Sequence, residues 1–139
     1  MDIKKEFLRI MKEHTEIALA TNFDNQSNVR IVNFYYEEAS NLLFFTSFNK
    51  NNKIKEFKLN PNVAFTTIPH VENEHIRATG QVIESPRTIY DLREAFVNKF
   101  PFYEDLINQV GESLILFEVH FPSAKVTLDM ENSSTISLK

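Results

Sequence analysis

Four lysines, Lys50, Lys53, Lys55 and Lys58, crowd a short connection between two strongly apolar runs, in a chain whose formal net charge is −4. The first run, LLFFTSF, ends in Thr46 and Ser47. Next come Asn49, Lys50, Asn51, Asn52 and Lys53 at the start of a helix-spaced segment that closes on Asn60-Pro61. Hydroxyls, amides, free backbone N–H groups and ammonium groups gathered at a helix start make a place for an anion, most simply a phosphate. Arg30 stands among Val29, Ile31 and Val32 in the preceding apolar run, where a guanidinium needs a partner and can grip phosphate with two nitrogens. Lys50, Lys55 and Lys58 read instead as the solvated side of the helix.

Other chemistry is poorly represented. The four histidines, His14, His70, His75 and His120, form no HExxH or similar ligand spacing, so no metal is expected. The two glycines stand singly, which excludes a glycine-rich phosphate loop, and there is no GxSxG elbow. His75, Arg77, Thr79 and Gln81 alternate along one face of a strand, suited either to a ligand cleft or to a solvated exterior. The 13 phenylalanines and 4 tyrosines are chiefly core, with Phe45, Tyr35 and Phe102 as candidate neighbours of an aromatic ligand.

The elements that must position these groups follow from periodicity. Ile3, Phe7, Ile10 and Met11 predict an amphipathic helix over 2–14. Strands are predicted at 16–21, 29–36 and 42–48, joined by FDNQSN and EEASN turns, then a short helix, then strands at 62–68 and 75–84. Ser85-Pro86 predicts a helix carrying Ile89, Leu92 and Phe96 on one face. A further helix over 103–110 has Gly111 as its C′ residue. SLILFEVHF is the sixth strand, with AKVTLD as its continuation, and MENSSTISLK is a polar, mobile end. Helices segregated around six mostly antiparallel strands give an α+β, mainly β, domain built on a barrel over residues 1–128, with a polar tail over 129–139.

Composition limits the partners. A length of 139 residues with 42% hydrophobic content suits one domain with a real core. The acidic balance argues against nucleic acid and anionic membrane. No cysteine is present, and no apolar run has the length of a signal or transmembrane segment, so a soluble, cytoplasmic protein is expected.

The order VRIVNFYY, hairpin, LLFFTSF, then NNKIKEFKLNPNVAF resembles the flavin-binding split-barrel family, whose best-known member is pyridoxamine 5′-phosphate oxidase. The spacing Lys53, Phe57, Asn60-Pro61, Val63-Ala64 is similar to that family's Ser-Arg-Lys, apolar residue, Asn-Pro, apolar-strand signature. The resemblance covers roughly residues 3–122 and implies a six-stranded antiparallel split β-barrel with flanking helices, a homodimer, and FMN at the dimer interface. It places cofactor contacts on Arg30 with Ile31, Val32 and Asn33, on Phe45 with either Thr46 or Ser47, and on Asn51, Asn52 and Lys53. Asn51 and Asn52 replace a hydroxyl and an arginine of the family pattern. Tyr35 replaces a lysine, and His75 falls where the oxidase has a glutamine near the flavin ring.

No arginine follows Arg93, so the basic carboxyl-terminal segment with which the oxidase reads its phosphorylated substrate has no counterpart. The resemblance therefore points to the small stress-protein and nitroimidazole-resistance-like members. It implies an FMN-dependent oxidoreductase acting on a small acceptor with a nicotinamide donor. The alternative is a non-catalytic flavin- or haem-binding module for sensing or storage. No residue is assigned a catalytic role.

Overall fold

A computed structural model describes residues 1–50 and 53–138, with Lys53 described by its backbone alone. Two residues decide the first hairpin. Strands β1 (Glu16–Phe23) and β2 (Gln26–Asn33) pair antiparallel with Phe23 opposite Gln26, so Asp24 and Asn25 alone make the turn. Their φ values of 51° and 61° lie in the left-handed region, which Asp and Asn tolerate and a tight hairpin requires. Residues 26–28, expected in the turn, therefore pair as strand.

The expected strand over 29–36 is interrupted at Phe34. β2 pairs with β1, whereas β3 (Tyr35–Glu37) pairs with β4 (Leu42–Phe48). Phe34 between them is wholly buried, and its N–H donates to the Thr15 carbonyl at 3.2 Å. Burying that ring and finding a partner outside either ladder turns the chain from one end of the sheet to the other. Helix α2 (Lys53–Leu59) is closed by the Asn60 N–H donating to the Glu56 carbonyl, with Pro61 preventing continuation. β5 (Asn62–Thr67), β6 (His75–Glu84) and β7 (Leu114–His120) complete the order β2-β1-β5-β6-β7-β4-β3.

Over the described residues the sheet has nine antiparallel strands rather than six. One extra strand is β3. The others are β8 (Ser123–Thr127), which pairs with β6 instead of extending β7, and β9 (Ser133–Ser137), formed within the segment expected to be mobile. Ile136 explains the second. It is the one large apolar residue at the middle of β9, and it is buried against the main core. Among the described residues no ladder joins β2 to β4, although the two strands touch. The sheet therefore curls through the Phe34 joint, and hydrogen-bonded closure of a barrel is not part of it.

Helix α1 (Ile3–Glu13) starts at Asp2, whose carboxylate accepts from the Lys5 N–H at 3.2 Å, and buries Phe7, Ile10 and Met11 against the sheet interior. Arg9 holds it in place with two bonds of 2.9 Å to the Glu74 carboxylate. That contact raises the Arg9 guanidinium and holds the Glu74 carboxyl below its usual range. A second core, centred on Phe44 and Phe96, lies under α3 (Arg93–Lys99) and α4 (Tyr103–Val110).

α3 begins seven residues later than Ser85-Pro86 predicts. Ser85 and Asp91 spend their side chains on nearby backbone, accepting from the N–H groups of Arg87 and Thr88, and these local bonds displace helical ones. Ile89 and Leu92 are still buried with Phe96, and the Arg87 guanidinium pairs with Glu37 through bonds of 3.0 and 2.9 Å. No helix among the described residues is long and apolar enough to cross a membrane.

Both glycines sit at close approaches. Gly111 has φ −53° and leads into a 3-10 turn rather than ending α4 in the left-handed region. A Cβ there would lie 2.6 Å from the Tyr90 hydroxyl, the far end of an exposed side chain that can swing away. At Gly80 a Cβ would collide with the His120 backbone carbonyl, which β7 fixes. Gly80→Ala is accordingly expected to lower unfolding free energy by about 3 kcal/mol and Gly111→Ala by less than about 1 kcal/mol. Urea denaturation of the two variants checks the ordering.

Candidate functional site

Alternation along β1, β2 and β4 decides which candidate groups meet. Ile17, Leu19 and Thr21 point inward from β1, and Arg30 is the ladder partner of Leu19, so its side chain leaves the same face. On β4, Leu43, Phe45 and Ser47 point inward, whereas Phe44 and Thr46 face the helices. The Thr46 hydroxyl is engaged with the Tyr103 hydroxyl at 2.9 Å; burial raises the Tyr103 phenol, and this bond offsets part of the rise. Ser47 is buried and its Oγ has no hydrogen-bond partner. Thr46 and Ser47 are thereby separated: Thr46 is engaged with Tyr103, and Ser47 is left without a partner.

Arg30 is not free. Its Nη2 lies 3.6 Å from Glu56 Oε2 on α2, with about a quarter of the arginine side chain exposed and a fifth of the glutamate's. At that distance the two attract without a formed hydrogen bond. Glu56 Oε2 is itself buried without a hydrogen-bond partner, as is the Thr21 hydroxyl. A guanidinium, two inward hydroxyls and a carboxylate thus face the interior from β2, β1, β4 and α2. The donor set fits a phosphate. Buried hydroxyls and a guanidinium short of hydrogen bonds are what an anion satisfies, and Glu56 is the one group opposed to it. Glu56 escaped the sequence reading, because its partner Arg30 lies on a strand distant in sequence.

The other candidates are dispersed. Ile31 is exposed on the outer face of β2, Val32 packs on the core, and Asn33 pairs with Glu16 at the strand end. Phe45 is wholly buried, stacked on Phe117 and edge-on to Phe57, so only its backbone can meet a ligand. Tyr35 packs on Phe96, and Phe102 is exposed beside Tyr103. The expectations on Asn51 and Asn52, and on the Lys53 side chain, lie outside the described residues.

His75 is not brought to Arg30. Three strand spacings and three residues of β6 separate their rows, roughly 14 Å across and 10 Å along, and their side chains leave opposite faces. Its Nδ1 lies 2.6 Å from the Asn73 carbonyl. The outward face of β6 expected for His75, Arg77, Thr79 and Gln81 is present, with Arg77 and Thr79 bordering a shallow apolar depression floored by Ala18, Ala20 and Ala64.

Three further polar groupings were not anticipated. Buried Glu118 accepts from the Ser85 hydroxyl at 2.9 Å and lies 2.7 Å from His120 Nε2. The carboxylate sits between serine and histidine, so the imidazole cannot take the serine's proton, and no nucleophile is assembled. His14 is buried and stacks on His70, with burial and then the His70 charge lowering it. Among the described residues no group of three or more His, Cys, Asp or Glu is placed to hold a metal. Lys99 at the end of α3 completes the set.

The sequence matches the model of a family described as pyridoxamine 5′-phosphate oxidase-like over residues 10–133. The chain belongs to this family. Solved structures of the same fold include a NimC/NimA family protein from Clostridium acetobutylicum, 22% identical over 96% of this chain and 91% of its own, with a TM-score of 0.74. General stress protein 26 from Bacillus anthracis is 15% identical over 99% and 100%, with a TM-score of 0.74. HutZ, the haem storage protein from Vibrio cholerae, is 13% identical over 99% and 95%, with a TM-score of 0.70. At these identities the likeness is one of fold. No curated protein matches the sequence.

The Arg30–Glu56 pair makes a direct prediction. Arg30→Ala leaves a partly buried carboxylate unopposed and is expected to cost about 1–3 kcal/mol of stability, most of which Glu56→Gln in the same chain restores. Denaturation of the single and double variants measures the coupling; additive effects would mean that the two groups do not interact.

Proposed function

We propose that this member of the pyridoxamine 5′-phosphate oxidase-like family binds FMN and works as an oxidoreductase on a small acceptor, as a cytoplasmic homodimer. The observation that carries the reading is that Arg30 and unpartnered Ser47 both face the interior, with Lys53, the family's helix-start lysine, following Ser47 in sequence. One terminal phosphate suits such a grip. FMN would supply the electron transfer; the chain's part is to hold its phosphate, to orient it and to exclude competing reactions. Glu56 would lose its hold on Arg30 when an anion takes the guanidinium.

The apolar outer face supports the dimer. Val29 and Ile31 are 68% and 54% exposed beside the alanine floor of β1 and β5, a surface that a second copy would cover. After β7 the only basic residues are Lys125 and Lys139, so a phosphorylated substrate finds little to hold it beyond the cofactor site. We therefore assign the acceptor to small planar molecules reduced with a nicotinamide donor, and not to pyridoxamine phosphate. His75, remote from Arg30 within one chain, would have to reach the flavin ring across the dimer to tune it.

A second reading is favoured by one observation, the shared fold of a haem storage protein. In it the chain holds flavin or haem without catalysis.

Purified protein should carry or take up FMN and show the visible absorbance of oxidised flavin, which a nicotinamide donor bleaches. Arg30→Ala should weaken FMN by about 1.5–3 kcal/mol, and Lys58→Ala by almost nothing. Protein that stays colourless with added FMN at micromolar levels refutes the reading. A Soret band, or a flavin that no donor reduces, favours the second. Light scattering should give twice the 16.2 kDa chain mass, falling to one chain in Ile31→Glu.

A further inference from the structure

Helix α3 presents a lysine where an amphipathic helix would carry an apolar residue. Lys99 follows Phe96 by three residues and leans onto the Phe34 ring, with Nζ 3.9 Å from its centroid and 5.5 Å from that of Phe100. Its one hydrogen bond among the described residues goes to the Met11 carbonyl at 3.1 Å, at the end of α1. No salt bridge to Lys99 is present among the described residues. The amine borders a groove of about 650 Å³ between α1, β3 and α3, with Leu8, Met11 and Tyr35 among its walls. Charged and titratable groups facing that groove are Lys12 and Glu13 from α1, Tyr35 and Tyr36 from β3, and Glu38 just beyond it.

An ammonium without a carboxylate partner is costly to desolvate, and burial pushes Lys99 down to about 7. The two rings attract the charged form and return part of that cost. Near neutral pH a substantial share of Lys99 is therefore the free amine, which is the nucleophilic form. Glu13 and Glu38 line the mouth, where a carboxylate can serve a water or a hydroxyl without pairing to Nζ.

We propose that Lys99 is a nucleophilic amine that captures a small apolar aldehyde or ketone in the groove between α1, β3 and α3 as an imine. Nζ attacks the carbonyl carbon to give a carbinolamine. A C=N bond then forms as the C–O bond breaks, the oxygen leaving as water with the two protons of the amine. No oxidant or reductant is needed, and the step is independent of any flavin. Substrate selection falls to the groove. Its walls accept an apolar body, and with Lys12 beside two carboxylates it offers no net positive charge for an anionic one.

The test is reductive trapping on the intact protein. Wild-type chain is incubated with propionaldehyde or benzaldehyde and cyanoborohydride across pH 6–10, and modified peptides are quantified by mass spectrometry. The α-amino group of Met1 is scored apart from the side-chain amines. The expected result is modification of Lys99 at pH 7 at least about tenfold faster than of exposed Lys4, Lys5 and Lys12. The rate should rise with a midpoint near 7, and the preference should vanish in urea. Lys99→Arg should lose the adduct and leave the FMN-binding readout unchanged. Even modification of all lysines, or a Lys99 midpoint near that of an ordinary lysine, overturns the proposal, and it does so from wild-type protein alone.

Discussion

The structure depends on what happens at Phe34. The chain must leave the ladder with β1 and enter the ladder with β4 inside a single residue, because β2 ends at Asn33 and β3 begins at Tyr35. Burial of the whole ring holds that residue in place, and its N–H finds its acceptor at Thr15, just before β1. The two ends of the sheet path are consequently tied by one peptide unit rather than by a ladder. Curvature, the interior that receives α1, and the approach of β2 to β4 all follow from that tie. Lys99 packs on the same ring, so the joint also fixes one wall of the groove beside α3.

Interior polarity is confined by the same geometry. Most inward positions are apolar and packed, with Phe45, Phe57 and Phe117 in mutual aromatic contact. Among the exceptions, Thr21, Ser47, Arg30 and Glu56 are under-satisfied: two hydroxyls lack partners and the ion pair stands at 3.6 Å. Unmet hydrogen-bonding capacity of this kind costs stability in the isolated chain. It is the usual condition of a site that a ligand completes, in contrast to the Arg9–Glu74 and Arg87–Glu37 pairs, whose bidentate contacts leave nothing over.

Strong periodicity made much of the fold legible. α1, β4, β6 and α4 were readable because each carries a clean period and a clear stop. Arg30 stood out as a charge in an apolar strand, and the family signature around Asn60-Pro61 located α2. What was missed has physical causes, some local and some long-range. The turn at Asp24-Asn25 is shorter than its polar composition suggests, since residues 26–28 sit at the open edge of the sheet where polar side chains are no penalty. Phe34 looks like any strand phenylalanine until a long-range contact makes it a corner. The delay of α3 rests on side chains bonding their own backbone. Glu56 and Lys99 are charges whose environment is set by elements distant in sequence, which spacing alone cannot report. The polar tail hid a strand because a single isoleucine was enough to anchor it.

That strand has a consequence for how the molecule meets its neighbours. Among the described residues β9 is an outermost strand of the sheet, pairing only with β8, and its residues apart from Ile136 are serines and a threonine. Such an edge offers main-chain groups to any passing extended chain, yet its short polar side chains stay hydrated and give a would-be partner no apolar surface to bury. β8, by contrast, carries Ala124 and Val126 on its buried face. By lying along β8, a weakly adhesive strand shields a more adhesive one, and the sheet presents an end that discourages runaway stacking of one copy upon the next.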